Sequence, residues 1–383
     1  MTPNARIAAA ITVLDMILDG QPAEQALLRW SRGARYAGSG DRAAVRDLVF
    51  DSLRRRRSRA ALGGGLTGRG LMLGMLRETG ADPDTVFTGQ GFDPQPVTPQ
   101  EVGHPPQGGE VSDLPDWILP QWSASLGDEA QAVALALRDR APIWLRVNLL
   151  KATPDDTVTA LTRDGISVEP SDGLPTALRV TAGERRVSAS AAYQQGMVEL
   201  QDLSPQLACA ALPLRDGDRV LDYCAGGGGK ALALAARGGA QITAHDADPS
   251  RMRDLPVRAA RAGARITVTI RPTGLFDLVV ADVPCSGSGT WRRTPDQKWR
   301  LTAQELMRLT ALQAQIITEA ARHVRPGGHL AYMTCSVLQA ENQAQILAFL
   351  GQNPAFSETF SHCYTPLTAS DGFFLSLLSR SAP

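Results

Sequence analysis

Three short segments of this chain set reactive side chains beside backbone that can approach a ligand closely. "DYCAGGGGKA", residues 222 to 231, places four glycines before a lysine. "FDLVVADVPCSGSGTWRRTPDQKW", residues 276 to 299, ends an apolar run at Asp282 and sets Cys285 at the start of a Ser/Gly loop. "YMTCS", residues 332 to 336, carries a third apolar run into Cys335. Each run reads as a strand, so the reactive groups stand at strand ends.

The glycine loop has three readings. A Walker A loop fails, because Cys224 and Ala231 occupy the positions that need Gly and Ser or Thr. A dinucleotide fingerprint is met by Gly226, Gly228 and Ala231. An S-adenosylmethionine site, in which glycines admit the methionine end, fits the same residues. Both surviving readings want an acid at the end of the next strand for the ribose, and Asp246 supplies it after "QITAH". The loop alone leaves NAD and S-adenosylmethionine open.

The thiols discriminate. Cys285, Cys335 and Asp282 converge on one sheet edge, a set that hydride transfer does not need and pyrimidine C5 methylation does. Carbon 5 of cytosine is a poor nucleophile until a thiolate adds at C6. A free cysteine is only a few per cent thiolate near pH 7, so its surroundings must assist. An acid at N3 relieves charge as the thiolate adds, and Asp282 is the candidate. Cys209 and Cys363 read as packing, and Cys224 as lining the cofactor without using its sulfur. Five histidines and five cysteines show neither metal-ligand spacing nor a C-x-x-C pair, so no metal site and no disulfide framework are expected.

The elements that must position these groups can be read from periodicity. Residues 1–80 are a helical domain: Ile7, Ile11, Leu14 and Leu18 share one face, as do Val45, Leu48, Val49 and Leu53. Residues 81–115, rich in Pro and Gly, read as an extended connector. Residues 116–205 read as a small α+β domain, with strands at "IWLRVN", "ALRVT" and "MVELQD" and a helix capped near Thr153. From 206 to 383 the pattern is βα repeating, which predicts an α/β, doubly wound, mostly parallel sheet with ligands at the strands' carboxyl ends. A helix is expected over 303 to 324, closed by Gly327 and Gly328.

Of the 383 residues, 43% are hydrophobic and 20% charged, the balance of a folded domain set. No run of about 18 apolar residues suggests a membrane span, and a cytoplasmic monomer is expected. Net charge is zero, so bulk charge announces no nucleic-acid partner. Lysine occurs only at 151, 230 and 298. "RRRRSR", residues 54 to 59, reads as a phosphate-tracking cluster or a solvated helix end. Arg292, Arg293 and Lys298 follow Cys285 closely enough to approach an RNA substrate, or to staple the loop instead.

"DYCAGGGGK", "ADVPCSGSGTWRRTPDQKW" and "YMTCSVLQAEN" resemble the RsmB/Sun (NOP2-type) RNA cytosine-5 methyltransferases. "LRVN", "ELQDLSPQLA" and "DGFF" fit as well, and "DRAAVRDLVFDSLRRRR" resembles a NusB-type RNA-binding domain. The resemblance implies a Rossmann-like S-adenosylmethionine-dependent domain behind α+β and NusB-like domains. It implies Cys335 as nucleophile, Cys285 as the group that assists adduct breakdown, and 16S rRNA as substrate. The cofactor would be lined by Cys224, Ala225, Gly226, Gly227, Gly228, Gly229, Lys230, Asp246 and Asp282. Two departures stand out: Gly226 and Gly227 occupy the family's Ala-Pro, and no acid lies between Thr269 and Asp277 near the adenine. The rival readings are a degenerate RNA-binding or ribosome-assembly factor of the same fold, and an NAD-dependent oxidoreductase.

Overall fold

In the computed structural model, which describes residues 1–382, the apolar spacing of the first 80 residues produces five helices. They are Pro3–Leu18, Ala23–Gly33, Ser39–Arg54, Arg56–Gly63 and Gly68–Glu78. Thr2 caps the first by accepting from the Ala5 N–H, a bond of the kind that contributes about 1 kcal/mol. Ile7, Leu14, Val45, Val49, Leu53 and Leu71 meet in their shared core.

The chain divides into two units, one of Met1–Arg140 with Thr290–Ala303 and the other of Ala141–Gly289 with the chain from Gln304 onward. Two sequence expectations change within the first. The connector at 81–115 is packed rather than extended: Phe87 and Leu114 are buried. Arg69 donates to the Gln95 and Pro96 carbonyls at 2.8 Å each and pairs with Glu101. A proline-rich chain has few N–H groups with which to form its own ladder, so side-chain donors satisfy its carbonyls. The helices Leu119–Leu126 and Ala130–Ala136 pack within this unit. The arginine cluster is committed to internal ion pairs. Arg59, 3% exposed, pairs with Asp51 and Glu78, Arg55 with Glu78 and Asp139, and Arg57 with Asp116.

The second unit contains two sheets. The smaller is antiparallel, ordered β2-β3-β1-β4, from β1 (Trp144–Val147), β2 (Ser167–Ser171), β3 (Leu174–Ala182) and β4 (Val198–Leu200). Its helix Pro154–Arg163 starts as expected at Thr153, whose hydroxyl accepts from the Asp156 N–H. β2 went unread because it is a largely exposed edge containing Pro170, a residue tolerated there and not centrally.

The larger sheet contains β5 (Arg219–Asp222), β6 (Gln241–Ala244), β7 (Ile266–Val268), β8 (Phe276–Asp282), β9 (Val324–Thr334), β10 (Phe356–Tyr364) and β11 (Phe373–Arg380). Their order is β10-β11-β9-β8-β5-β6-β7, with the run from β9 to β7 parallel and β11 antiparallel to both neighbours. Strand order reverses between β5 and β8, which opens a crevice at their carboxyl ends. This is the α/β, Rossmann-like arrangement expected. The helix Ala303–Ala321 ends before Val324, which pairs with Phe276 instead of joining the helix face. Gly327, at φ +71°, lies within β9 where the register slips, so the glycines serve a strand irregularity and not a helix end.

Candidate active site

The glycine loop leaves β5 and turns into the helix Gly229–Ala235. Gly226 and Gly228 adopt φ of +49° and +81°, a region that favours glycine. A Cβ on Gly228 would stand 2.2 Å from Leu255. The loop is held from both sides. Ala225 N–H donates to the His245 carbonyl at 2.8 Å, and Gly226 N–H to Asp246 Oδ2 at 2.9 Å. Arg258 donates to the Gly227 carbonyl while pairing with buried Glu199 on β4. Gln201, from the "ELQD" segment, reaches the Gly229 carbonyl at 3.4 Å.

Asp246 is therefore brought to the loop, where Arg251 also pairs with it at 3.2 Å and the Asp248 N–H donates to it. Lys230 meets Asp282 in an ion pair, with its ammonium 5.3 Å from the Phe373 ring centre. Burial opposes the lysine's charge, but the facing carboxylate and their hydrogen bond outweigh it and raise the Lys230 pKa. Asp282, read as the acid toward N3, accepts the Lys230 hydrogen bond. Asp222 lies behind the pair, 1% exposed, with Oδ2 accepting from the Ala231 N–H and Oδ1 buried without a hydrogen-bond partner. Burial, reinforced by Asp282, pushes its carboxyl up to about 7. Positive-φ glycines and an orphaned carboxylate oxygen fit a ligand that brings its own donors and needs close backbone approach.

The parallel pairing of β8 with β9 sets Asp282 beside Met333, so the next turns carry Cys285 and Cys335 together. Their sulfurs lie 3.2 Å apart. The hydrogen bond to Cys335, then burial, then the charges of Cys335 and Glu341 hold the Cys285 thiol well above its usual range. The two thiols share this contact, and either sulfur can donate in it. Cys224 is also pushed up, by burial and then by Asp222 and Asp282, so its sulfur is not poised to react. Cys209 is core, its thiol raised to about 12 by burial.

Two of the residues expected to contact RNA are placed elsewhere. Lys298 is 2% exposed and donates to the Arg54 carbonyl at 3.1 Å, and Arg292 is 7% exposed while its carbonyl accepts from Arg54. Trp291 stacks on Trp122 with ring centres 5.8 Å apart, and Trp299 donates to the Leu53 carbonyl. This segment is a staple in the helical unit, because its aromatic side chains bury more apolar surface than solvent exposure would allow. Arg293 remains exposed.

Sequence reading missed Asp222, Glu199, Gln201, Arg258 and Glu341. Asp222 opens the glycine motif and Glu341 lies in "LQAEN", but an isolated acid carries no signal until its neighbours are known. Among the described residues no group of three His, Cys, Asp or Glu could hold a metal, and no helix is long and apolar enough to cross a membrane.

Residues 209–378 match a family described as 16S rRNA methyltransferase RsmB/F, and residues 114–186 match its ferredoxin-like domain. The chain is 35% identical over 292 residues to ribosomal RNA small subunit methyltransferase B of Xanthomonas campestris pv. campestris, covering 70% of this chain and 67% of that protein. It is 38% identical over 252 residues to the protein of that name from Xylella fastidiosa (strain Temecula1), covering 62% and 57%. It thus spans roughly three fifths to two thirds of the length of these curated relatives. The fold resembles PH0851 (TM-score 0.76, 22% identity, 99% of both chains). It also resembles NSun6 from Pyrococcus horikoshii with SFG (TM-score 0.63, 16% identity, 70% of this chain and 99% of that one). With the sheet order, glycine loop and thiol pair now described, the chain belongs to the 16S rRNA methyltransferase RsmB/F family.

Proposed function

We propose that the chain is an S-adenosylmethionine-dependent RNA cytosine-5 methyltransferase that works on 16S rRNA through a covalent cysteine adduct. The observation that carries this reading is the pair of sulfurs 3.2 Å apart at the carboxyl edge of the sheet. The glycine loop with Lys230, Asp246 and Asp282 would hold S-adenosylmethionine, which supplies an electrophilic methyl group on sulfonium. Cys335 Sγ adds to C6 of the flipped base, making C5 nucleophilic. Asp282, held by Lys230, faces the same crevice and orients the base. After C5 takes the methyl and loses its proton to solvent, the C6–S bond breaks. Cys285 then donates its S–H hydrogen bond to the departing Cys335 thiolate. Extruding a base costs a few kcal/mol, which RNA contacts must offset.

The rRNA assignment rests on the family match, and the base and position on the thiol chemistry. The test is transfer of a labelled methyl group from S-adenosylmethionine to 16S rRNA, followed by mapping of the modified nucleotide. Wild-type protein is expected to label C5 of a cytosine and Cys335→Ala to label none. Near-normal turnover by Cys335→Ala would refute the covalent mechanism. Labelling of another base would refute the cytosine assignment.

A further inference from the structure

We infer that Glu341 is a positioning residue that clamps the two cysteine-bearing turns together and so sets the separation of Cys285 and Cys335. Its importance for methyl transfer rests on the function proposed above; its effect on the thiols does not.

Glu341 is fully buried, in the short turn Gln339–Glu341 that follows β9. Its carboxylate receives the residue immediately after each cysteine. Oε2 accepts from the hydroxyls of Ser286 and Ser336, and Oε1 accepts from the Ser286 N–H at 2.8 Å. Gln313 donates to Oε1 at 3.0 Å and to the Pro284 carbonyl at 2.9 Å, fixing the residue before Cys285 as well. Ser288 bonds Ser336 at 2.8 Å and accepts from the Val337 N–H at 3.0 Å, lacing the two turns a second time. Tyr332 donates to the Glu341 carbonyl, and Asn342 accepts from Thr334 and donates to the Ser336 carbonyl.

A buried carboxylate is expensive unless fully hydrogen-bonded, and apolar packing commonly serves stability as well or better. Here every bond described leads to the segments 284–288 or 332–337, or to the helix that braces them. That concentration points to geometry at the thiols. The charge acts too, since Glu341 is among the influences that raise the Cys285 thiol.

The experiment uses the full chain and needs no RNA. Diamide takes up two electrons and two thiol protons as the Cys285–Cys335 disulfide forms, and peptide mapping after alkylation measures its rate. Wild type is expected to close readily. Glu341→Gln, whose amide can still accept from the Ser286 N–H and donate to the hydroxyl oxygens, should close at a comparable rate. With the charge gone, its thiols should begin reacting with iodoacetamide at lower pH. Glu341→Ala should close at least about tenfold more slowly, because misplacement on the 1 Å scale is sufficient for such losses. If Glu341→Ala does not fold, the Ser286→Ala/Ser336→Ala double variant cuts both hydroxyl links while the Ser286 N–H and Gln313 still hold the carboxylate. It too should close slowly. Wild-type closure rates in whichever of these variants folds would overturn the inference. Wild-type protein that shows these thiol effects yet transfers no methyl group would overturn the proposed function and leave the clamp standing.

Discussion

Gly372 offers a sharp test of whether the thiol geometry governs catalysis. The Gly372 N–H donates to the Gly289 carbonyl at 2.8 Å, and the Gly289 N–H donates to the Cys335 carbonyl at 3.0 Å. One backbone relay thus runs from the "DGFF" segment through the loop of Cys285 to the turn of Cys335. A Cβ on Gly372 would stand 2.5 Å from the Gly289 Cα and 2.5 Å from Val337 Cγ1. Carbon atoms settle at about 3.5–4.0 Å, so one loop must move by roughly 1 Å. Val337 can turn its side chain aside, but the Gly289 backbone cannot. Overpacking of this kind costs about 1–3 kcal/mol of stability. The same displacement at a reacting pair costs on the order of a hundredfold in rate. Single-turnover methyl transfer to 16S rRNA, with thermal melting beside it, separates the two effects. Gly372→Ala is expected to stay folded with a modestly lower Tm and a rate constant lower by about two orders of magnitude. A folded variant whose rate stays within about threefold of wild type would show that the relay does not set the thiol geometry.

Two further outcomes follow from the same structure. Cys285→Ala should accumulate a protein–RNA adduct that survives denaturing electrophoresis, since Cys335 can still add while its departure loses the neighbouring thiol at 3.2 Å; absence of an adduct with methylatable RNA would remove Cys285 from that role. Lys298→Met should stabilise the helical unit near pH 6 and lose that advantage toward pH 10. Burial lowers the Lys298 pKa from its ordinary 10.5 to about 7. Between those values the unfolded chain binds the extra proton, so wild-type stability falls as pH falls, and the penalty is complete below about 7. At about 1.4 kcal/mol per pKa unit the gain is a few kcal/mol, less the lost bond to the Arg54 carbonyl. Denaturation followed by tryptophan fluorescence at both pH values measures it, and a difference independent of pH would be the contrary result.

Local patterns were enough for much of this protein. The βα alternation from Asp216 onward, the positive-φ glycines after β5 and the paired Cys285 and Cys335 are all written in short windows, because strand ends, turns and glycine loops have local sequence requirements. The helix core residues Val45, Val49 and Leu53 were legible from spacing for the same reason. β10 and β11 were not, since β11 has no alternation to read: it is buried on both faces between its neighbours.

The charged residues divide differently. Sequence placed Asp246, Asp282 and Lys230 near the crevice, but only the packing showed Asp282 as the partner of Lys230. Arg292 and Lys298 could approach RNA or staple the loop, and they are buried within the helical unit. "RRRRSR" could be a phosphate track or a solvated helix end, and its Arg55, Arg57 and Arg59 pair with Asp51, Glu78, Asp116 and Asp139. A charge in a sequence has no burial or partner until distant segments meet, and its pKa, exposure and role all depend on those two quantities. The sequence by itself therefore determined which residue types stand at which strand ends. Tertiary structure alone decided that the two thiols touch, which carboxylate meets a cation, and that Glu341 joins the two cysteine turns.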